Sequence, residues 1–246
     1  MHKKYTDKMF CFSPPVMLAT FLIEFSLAAY TIWRYKMDTV KKLAVTMLVA
    51  LGSFQLAEYM VCGGLGISGL DWARFGYVAI TLLPALGIHM LYAIAGKKTD
   101  AIVKTAYATC AAFVLFYVVG EGALSGHACY SNYAVFNTLR PSNILFGLYY
   151  YGWLFIGVYM AWIWSNEQPR HRRALQAMAM GYAAFILPTT FFNIIDPTTV
   201  KGIPSIMCGF AVIFAVVLVT KVLPNSCHAT NESVFESVIS KLRLKI

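Results

Sequence analysis

Apolar and polar positions alternate along the chain in long blocks, and seven apolar stretches stand out: 14–34, 43–65, 75–95, 102–120, 144–164, 174–195 and 204–223. A helix needs about 20 apolar residues to cross a bilayer, because each residue adds ~1.5 Å through a core of ~30 Å. Each stretch therefore predicts a transmembrane helix. The other spanning solution, a closed barrel, would show segments of about 10 residues alternating with period two, and none is present. The fold expected is an all-α seven-helix transmembrane bundle over residues 1–223. A tail, 224–246, follows it.

The gaps between the stretches set the orientation. Counting Lys and Arg along successive gaps and the final segment gives 4, 1, 3, 1, 3, 1 and 4, starting with Arg34, Lys36, Lys41 and Lys42. Basic gaps face the cytoplasm, so the N terminus is expected outside and the C terminus inside. Lys3, Lys4 and Lys8 run against this rule, but three consistent pairs of gaps outweigh one short tail. In the C-terminal tail Val234, Val238 and Leu242 recur at helical spacing among Lys241, Arg243 and Lys245. That pattern predicts a short amphipathic helix on the inner membrane surface.

Composition agrees with the pattern. The 246 residues are 59% hydrophobic and 13% charged, whereas a soluble domain carries about 25% charged residues. A soluble enzyme is excluded on that ground. The net charge of +9 is spread through the gaps that fix orientation, so no nucleic-acid partner is expected. The longest gap, 121–143, is far below the ~50 residues of an independent domain. Any function belongs to the bundle, and the partner common to every reading is the lipid bilayer.

Ionisable groups inside a membrane cost roughly 2.5–3.5 kcal/mol on insertion scales, so each marks a potential site. Glu24 lies mid-way along the first span, with Thr20 and Thr31 on the same stripe. Glu58 lies in the outer third of the second, with Gln55 and Cys62 on its face. His89 follows Pro84 in the third span, and Thr189, Asn193 and Asp196 form a stripe in the sixth. Glu58, Gln55, Glu24, His89 and Asn193 are thus candidates for a ligand or proton site. A second constellation follows from the orientation, which brings Cys11, Cys62, Cys129 and Cys208 to the outer face with Glu58, Glu121, His127 and Asp196; Glu58, His127, Cys11, Cys62 and Cys129 are the candidate metal ligands among them. Carboxylate, imidazole and thiolate are what a zinc or copper ion takes. The same cysteines could instead form disulfides, which that compartment permits, or pack as small apolar groups.

Cys11-Phe12-Ser13 ahead of the first span, together with Gln55-Leu56-Ala57-Glu58 in the second, resembles an uncharacterised family of small bacterial multi-span membrane proteins. Those begin Met-Cys-Phe-Ser and place a Gln and a Glu near the end of their second helix. The likeness covers about the first 60 residues. It implies a bacterial plasma membrane and singles out Cys11 and Glu58, but it implies no reaction. Rhodopsin-like chemistry does not fit, since the lysine of the seventh span, Lys221, lies at its inner end.

Three functions remain in view. One is a binding or sensing bundle with an outward-facing polar pocket around Glu58 for a metal or small ligand. Another is a small-solute or proton-coupled transporter using Glu24, Glu58 and His89. The last is a metal-dependent membrane hydrolase with Glu58 as general base and His127 and cysteines as ligands.

Overall fold

Ser13-Pro14 opens the first helix, because a proline at the first helical position gives up no hydrogen bond. From there the computed structural model describes residues 13–63, 69–130, 133–138 and 140–226. The described chain is mostly helical: α1 Pro14–Arg34, α2 Thr39–Gly63, α3 Gly69–Ile94, α4 Ala101–Val119, α5 Arg140–Glu167, α6 Arg172–Ile195 and α7 Ile203–Val217. A 3-10 turn, Pro197–Gly202, leads into α7, and a π turn, Leu218–Val222, extends it. Among the described residues seven helices are long and apolar enough to cross a membrane. The protein is accordingly a polytopic membrane protein. Cys11 and the amphipathic tail helix expected over 234–246 lie outside the described residues.

Helix ends follow local chemistry more closely than the apolar blocks do. α2 starts four residues ahead of its apolar block, because the Asp38 carboxylate accepts from the Lys41 N–H at 3.0 Å and also pairs with the Lys41 ammonium. Asp100 caps α4, accepting from Ile102 N–H at 2.9 Å and from the Tyr92 hydroxyl at 2.8 Å. Its carboxyl is held below the ordinary value near 3.8, first by the Tyr92 hydroxyl and then by backbone N–H groups.

α3 is the central helix, with 78% of its apolar window buried against 28% for α1 and 22% for α4. It packs on α2, α4 and α5, while α7 packs on α6, α1 and α2 and closes the bundle. Pro84 removes one backbone donor from α3. One turn earlier, the Thr81 carbonyl accepts from the Tyr149 hydroxyl at 2.7 Å and from the Cys110 thiol at 3.4 Å. The outward faces carry exposed Leu22, Ile32, Leu115, Leu148, Leu187 and Ile194, as contact with lipid requires.

The gap between α4 and α5, too short for an independent domain, holds an antiparallel hairpin. Its strands are β1 Leu124–Cys129 and β2 Ala134–Thr138, with Cys129 opposite Ala134 and His127 opposite Phe136. It packs on the bundle instead of lying free. Phe136 is buried with its ring 5.9 Å from Phe54 and 5.5 Å from Tyr77. Tyr77 in turn contacts Tyr117 and Phe146. The Tyr133 ring covers Gly202, where any Cβ would collide with it. A disulfide between Cys62 and Cys129 ties β1 to the end of α2.

Candidate functional site

The polar stripe on α1 faces the bundle: Thr20, Glu24 and Thr31 are buried together with Met17 and Ala28. Both threonines are satisfied by their own helix, Thr20 through the Val16 and Met17 carbonyls and Thr31 through the Leu27 carbonyl. Glu24 is not. It is fully buried, and neither carboxyl oxygen has a partner among the described residues.

Gly52 of α2 lies against it, since a Cβ there would sit 3.5 Å from the Glu24 Cβ and inside the Phe25 ring. α1 and α2 run antiparallel, and helical side chains lean toward their own N terminus. The Glu24 carboxyl therefore leans along α2 in the direction of its C terminus, where Gln55 and Glu58 follow Gly52 at helical spacing. Both are buried. Gln55 Nε2 and Glu58 Oε1 also lack partners among the described residues. The two carboxyl groups are close enough for their charges to influence one another.

The other walls come from α3 and α7. The Tyr77 hydroxyl and the Cys208 thiol are within electrostatic range of Glu58, and Cys208 of Glu24 as well. Ser205, one turn before Cys208, hydrogen-bonds the Glu58 side chain. The Ser205 oxygen also accepts from the Ala134 N–H at 3.1 Å. A relay thus runs from the hairpin backbone through Ser205 to Glu58, and Glu58 sits one turn before the disulfide at Cys62.

A cavity of about 210 Å³ opens between α5 and the start of α7, lined by Ile144, Gly147, Tyr150, Ile203, Met207 and Cys208 among others. Its rim residues Ile144 and Val200 are 67% and 51% exposed on the apolar outer surface. A smaller void of about 20 Å³ lies beyond it, also lined by Tyr150, Met207 and Cys208. Tyr150, Met207 and Cys208 thus line both voids.

The remaining sequence candidates go elsewhere. His89 Nδ1 is 3.0 Å from the Tyr107 hydroxyl on α4, so it is engaged away from the glutamates. Asn193 accepts from the Thr199 hydroxyl at 2.8 Å and fastens α6 to the 3-10 turn. Asp196 caps that turn; the Thr198 hydroxyl and N–H hold its carboxyl below the ordinary value near 3.8. The zinc or copper set does not assemble. Cys62 and Cys129 are bonded to each other, which leaves neither as a thiolate ligand. His127 is exposed on β1 over Gly69. Among the described residues no three His, Cys, Asp or Glu side chains gather as a metal site. In sequence, Cys208 belongs to the outer-face cysteines and Tyr77 to the membrane interface; spacing places neither of these, nor Ser205, beside Glu58, because each reaches it across a helix interface.

The class that the fold defines is a polytopic membrane protein, with seven helices able to span among the described residues and two carboxyl groups buried in its interior. Compared with protein-family models and with curated proteins, the chain matches none.

Proposed function

We propose that this protein is a membrane-embedded binding or sensing bundle whose small-ligand site is the Glu24–Gln55–Glu58 cluster. The observation that carries the reading is the set of four unpartnered polar atoms there, three of them carboxyl oxygens, at groups that are at most 2% exposed. A buried polar atom left without a hydrogen bond costs about 1–3 kcal/mol, and more for a charged group. Such a cluster is tolerated in a folded bundle when it serves to receive something. The basic gaps assign the hairpin end to the outside of the membrane, a bacterial plasma membrane on the resemblance of the first 60 residues, so the site lies toward the outer face.

Binding is favoured over transport because His89 is engaged with Tyr107 and offers no continuation from the glutamates toward the basic end. It is favoured over metal-dependent hydrolysis because the disulfide takes up two of the cysteines that such a mechanism needs.

The test is a thermal-stability screen of detergent-purified protein against inorganic cations, small amines and zwitterions, run in parallel on Glu58→Gln and Gln55→Ala. At least one compound class should raise the melting temperature of the wild type and leave both variants unmoved. Equal shifts in wild type and variants, or no shift with any class, would overturn the reading.

A further inference from the structure

We infer that the basic end of the bundle holds a site for an anionic phospholipid, with the phosphate headgroup at Arg173 and Lys221 and an acyl chain along Met180 and Trp162. The inference goes beyond the carboxyl cluster and does not depend on it. Three observations carry it.

The first is a cleft. A cavity of about 440 Å³ lies where α5, α6 and the π turn that extends α7 come together. Its volume falls within the ~300–1,000 Å³ usual for small-molecule sites. The helix directions bring polar residues to one end of it: Ser165 falls in the last turn of α5, Arg173 in the first turn of α6 and Lys221 in the π turn. That turn packs on α6, and turns of this kind often accompany functional sites.

The second is charge. The lining includes a guanidinium, an ammonium and the two carboxamides of Gln176 and Asn225, but no Asp or Glu. Neither Arg173 nor Lys221 makes an ion pair among the described residues. Glu167, the acid at this end of α5, lies 4.0 Å from Lys97 instead. The Asn225 amide donates to the Lys221 carbonyl at 2.7 Å and so fastens the wall that carries the ammonium. A guanidinium takes two phosphate oxygens at once, and an ammonium adds a second positive charge beside them.

The third is the change of polarity with depth. Arg173, Gln176, Ala177 and Met180 follow at i, i+3, i+4 and i+7 along α6, and all four line the cleft. Seven residues at ~1.5 Å each set Met180 about 10 Å deeper than Arg173. Met180 and Trp162, which lines the cleft from α5, are both exposed on the outer surface of the bundle. The cleft is therefore cationic at headgroup depth and apolar toward the membrane interior, open to lipid along its side. A soluble anion leaves the apolar part unused, whereas a phospholipid carries phosphate and acyl chain at that offset. Basic pockets between helix ends collect anionic headgroups for this reason.

Trp162 supplies the readout. The full chain is reconstituted in phosphatidylcholine vesicles holding a minority of phosphatidylglycerol with bromine on its acyl chains, a short-range quencher of tryptophan fluorescence. The Trp162 signal is the difference between wild type and Trp162→Phe. Brominated phosphatidylcholine at the same fraction reports lipid contact without net charge. Phosphatidylglycerol should quench Trp162 the more strongly, and its apparent preference should fall about fivefold in each of Arg173→Gln and Lys221→Gln. Both side chains are exposed, so the variants should fold as the wild type does. Arg172→Gln, next in sequence but outside the lining, should keep the preference.

Equal quenching by the two lipids, or a preference that persists in both cleft variants, would overturn the inference. An equal loss in Arg172→Gln would do the same, because it would reduce the effect to diffuse surface charge. Relief of quenching by inorganic phosphate, unmatched by chloride at the same ionic strength, would make the cleft a soluble-anion site and overturn the lipid assignment. A preference that emerges only after removal of residues 227–246 would give the cleft to that segment, with the same consequence.

Discussion

Gly52 shows how much of the interior depends on one missing methyl group. Its Cβ position is occupied by the Phe25 ring, and the Glu24 side chain lies alongside. Gly52→Val should force α1 away from α2, at the ~1–3 kcal/mol typical of overpacking, and should displace the Glu24 carboxyl with it. The melting temperature and ligand binding are expected to fall together, whereas Gly147→Ala, where an added Cβ meets nothing within 4 Å, should not lower the melting temperature. Loss of neither in Gly52→Val would show that α1 does not need this close approach. The glutamates themselves were legible in the sequence. Thr20, Glu24 and Thr31 repeat with helical period, and Gln55 and Glu58 share one face, so spacing alone outlines the polar stripe. What they meet was not legible, since Ser205, Cys208 and Tyr77 are brought in by helices remote in sequence. His89 illustrates the same limit: its partner Tyr107 lies on the next helix, and no spacing within the third span reveals it.

The hairpin is the element that local patterning concealed. Its strands are 6 and 5 residues long, and buried Ala134, Val135 and Phe136 are consecutive, so the period-two signal is lost. Its attachment was legible only as one of several fates for the outer cysteines. Because the disulfide closes a loop of 67 residues, its removal should cost about 2–4 kcal/mol. Cys62→Ser with Cys129→Ser should therefore melt earlier than wild type in non-reducing conditions and at the same temperature as reduced wild type. A double variant as stable as the oxidised protein would show that Phe136 and Tyr133 hold the hairpin alone. At the opposite end, Asp100 links α3 to α4. Its carboxyl ionises below its ordinary value, so the contribution is full above a pH near 3.8 and is lost as the pH falls through the lower folded value. Asp100→Asn should lower stability at neutral pH and flatten the acid limb of the stability profile. An unchanged acid limb would place that sensitivity elsewhere.

For the molecule as a whole, the seven apolar blocks fixed the number of spans because crossing a bilayer demands length and continuous hydrophobicity, which one sequence displays openly. Sidedness rests on the basic gaps and is open to experiment. Single cysteines placed at Ser125 and at Lys98 in an otherwise cysteine-free protein should react with a membrane-impermeant maleimide in intact cells only at Ser125. The reverse pattern would invert the bundle. The central claim, however, is that Glu24 and Glu58 belong to one ligand site inside the bundle. Infrared difference spectroscopy reads carboxyl groups directly, and the perturbation is addition of the compound class that raises the melting temperature in the stability screen. A protonated-carboxyl band should diminish on binding, and the change should disappear in both Glu24→Gln and Glu58→Gln. A carboxyl signal that responds identically in wild type and in the two variants would contradict the account.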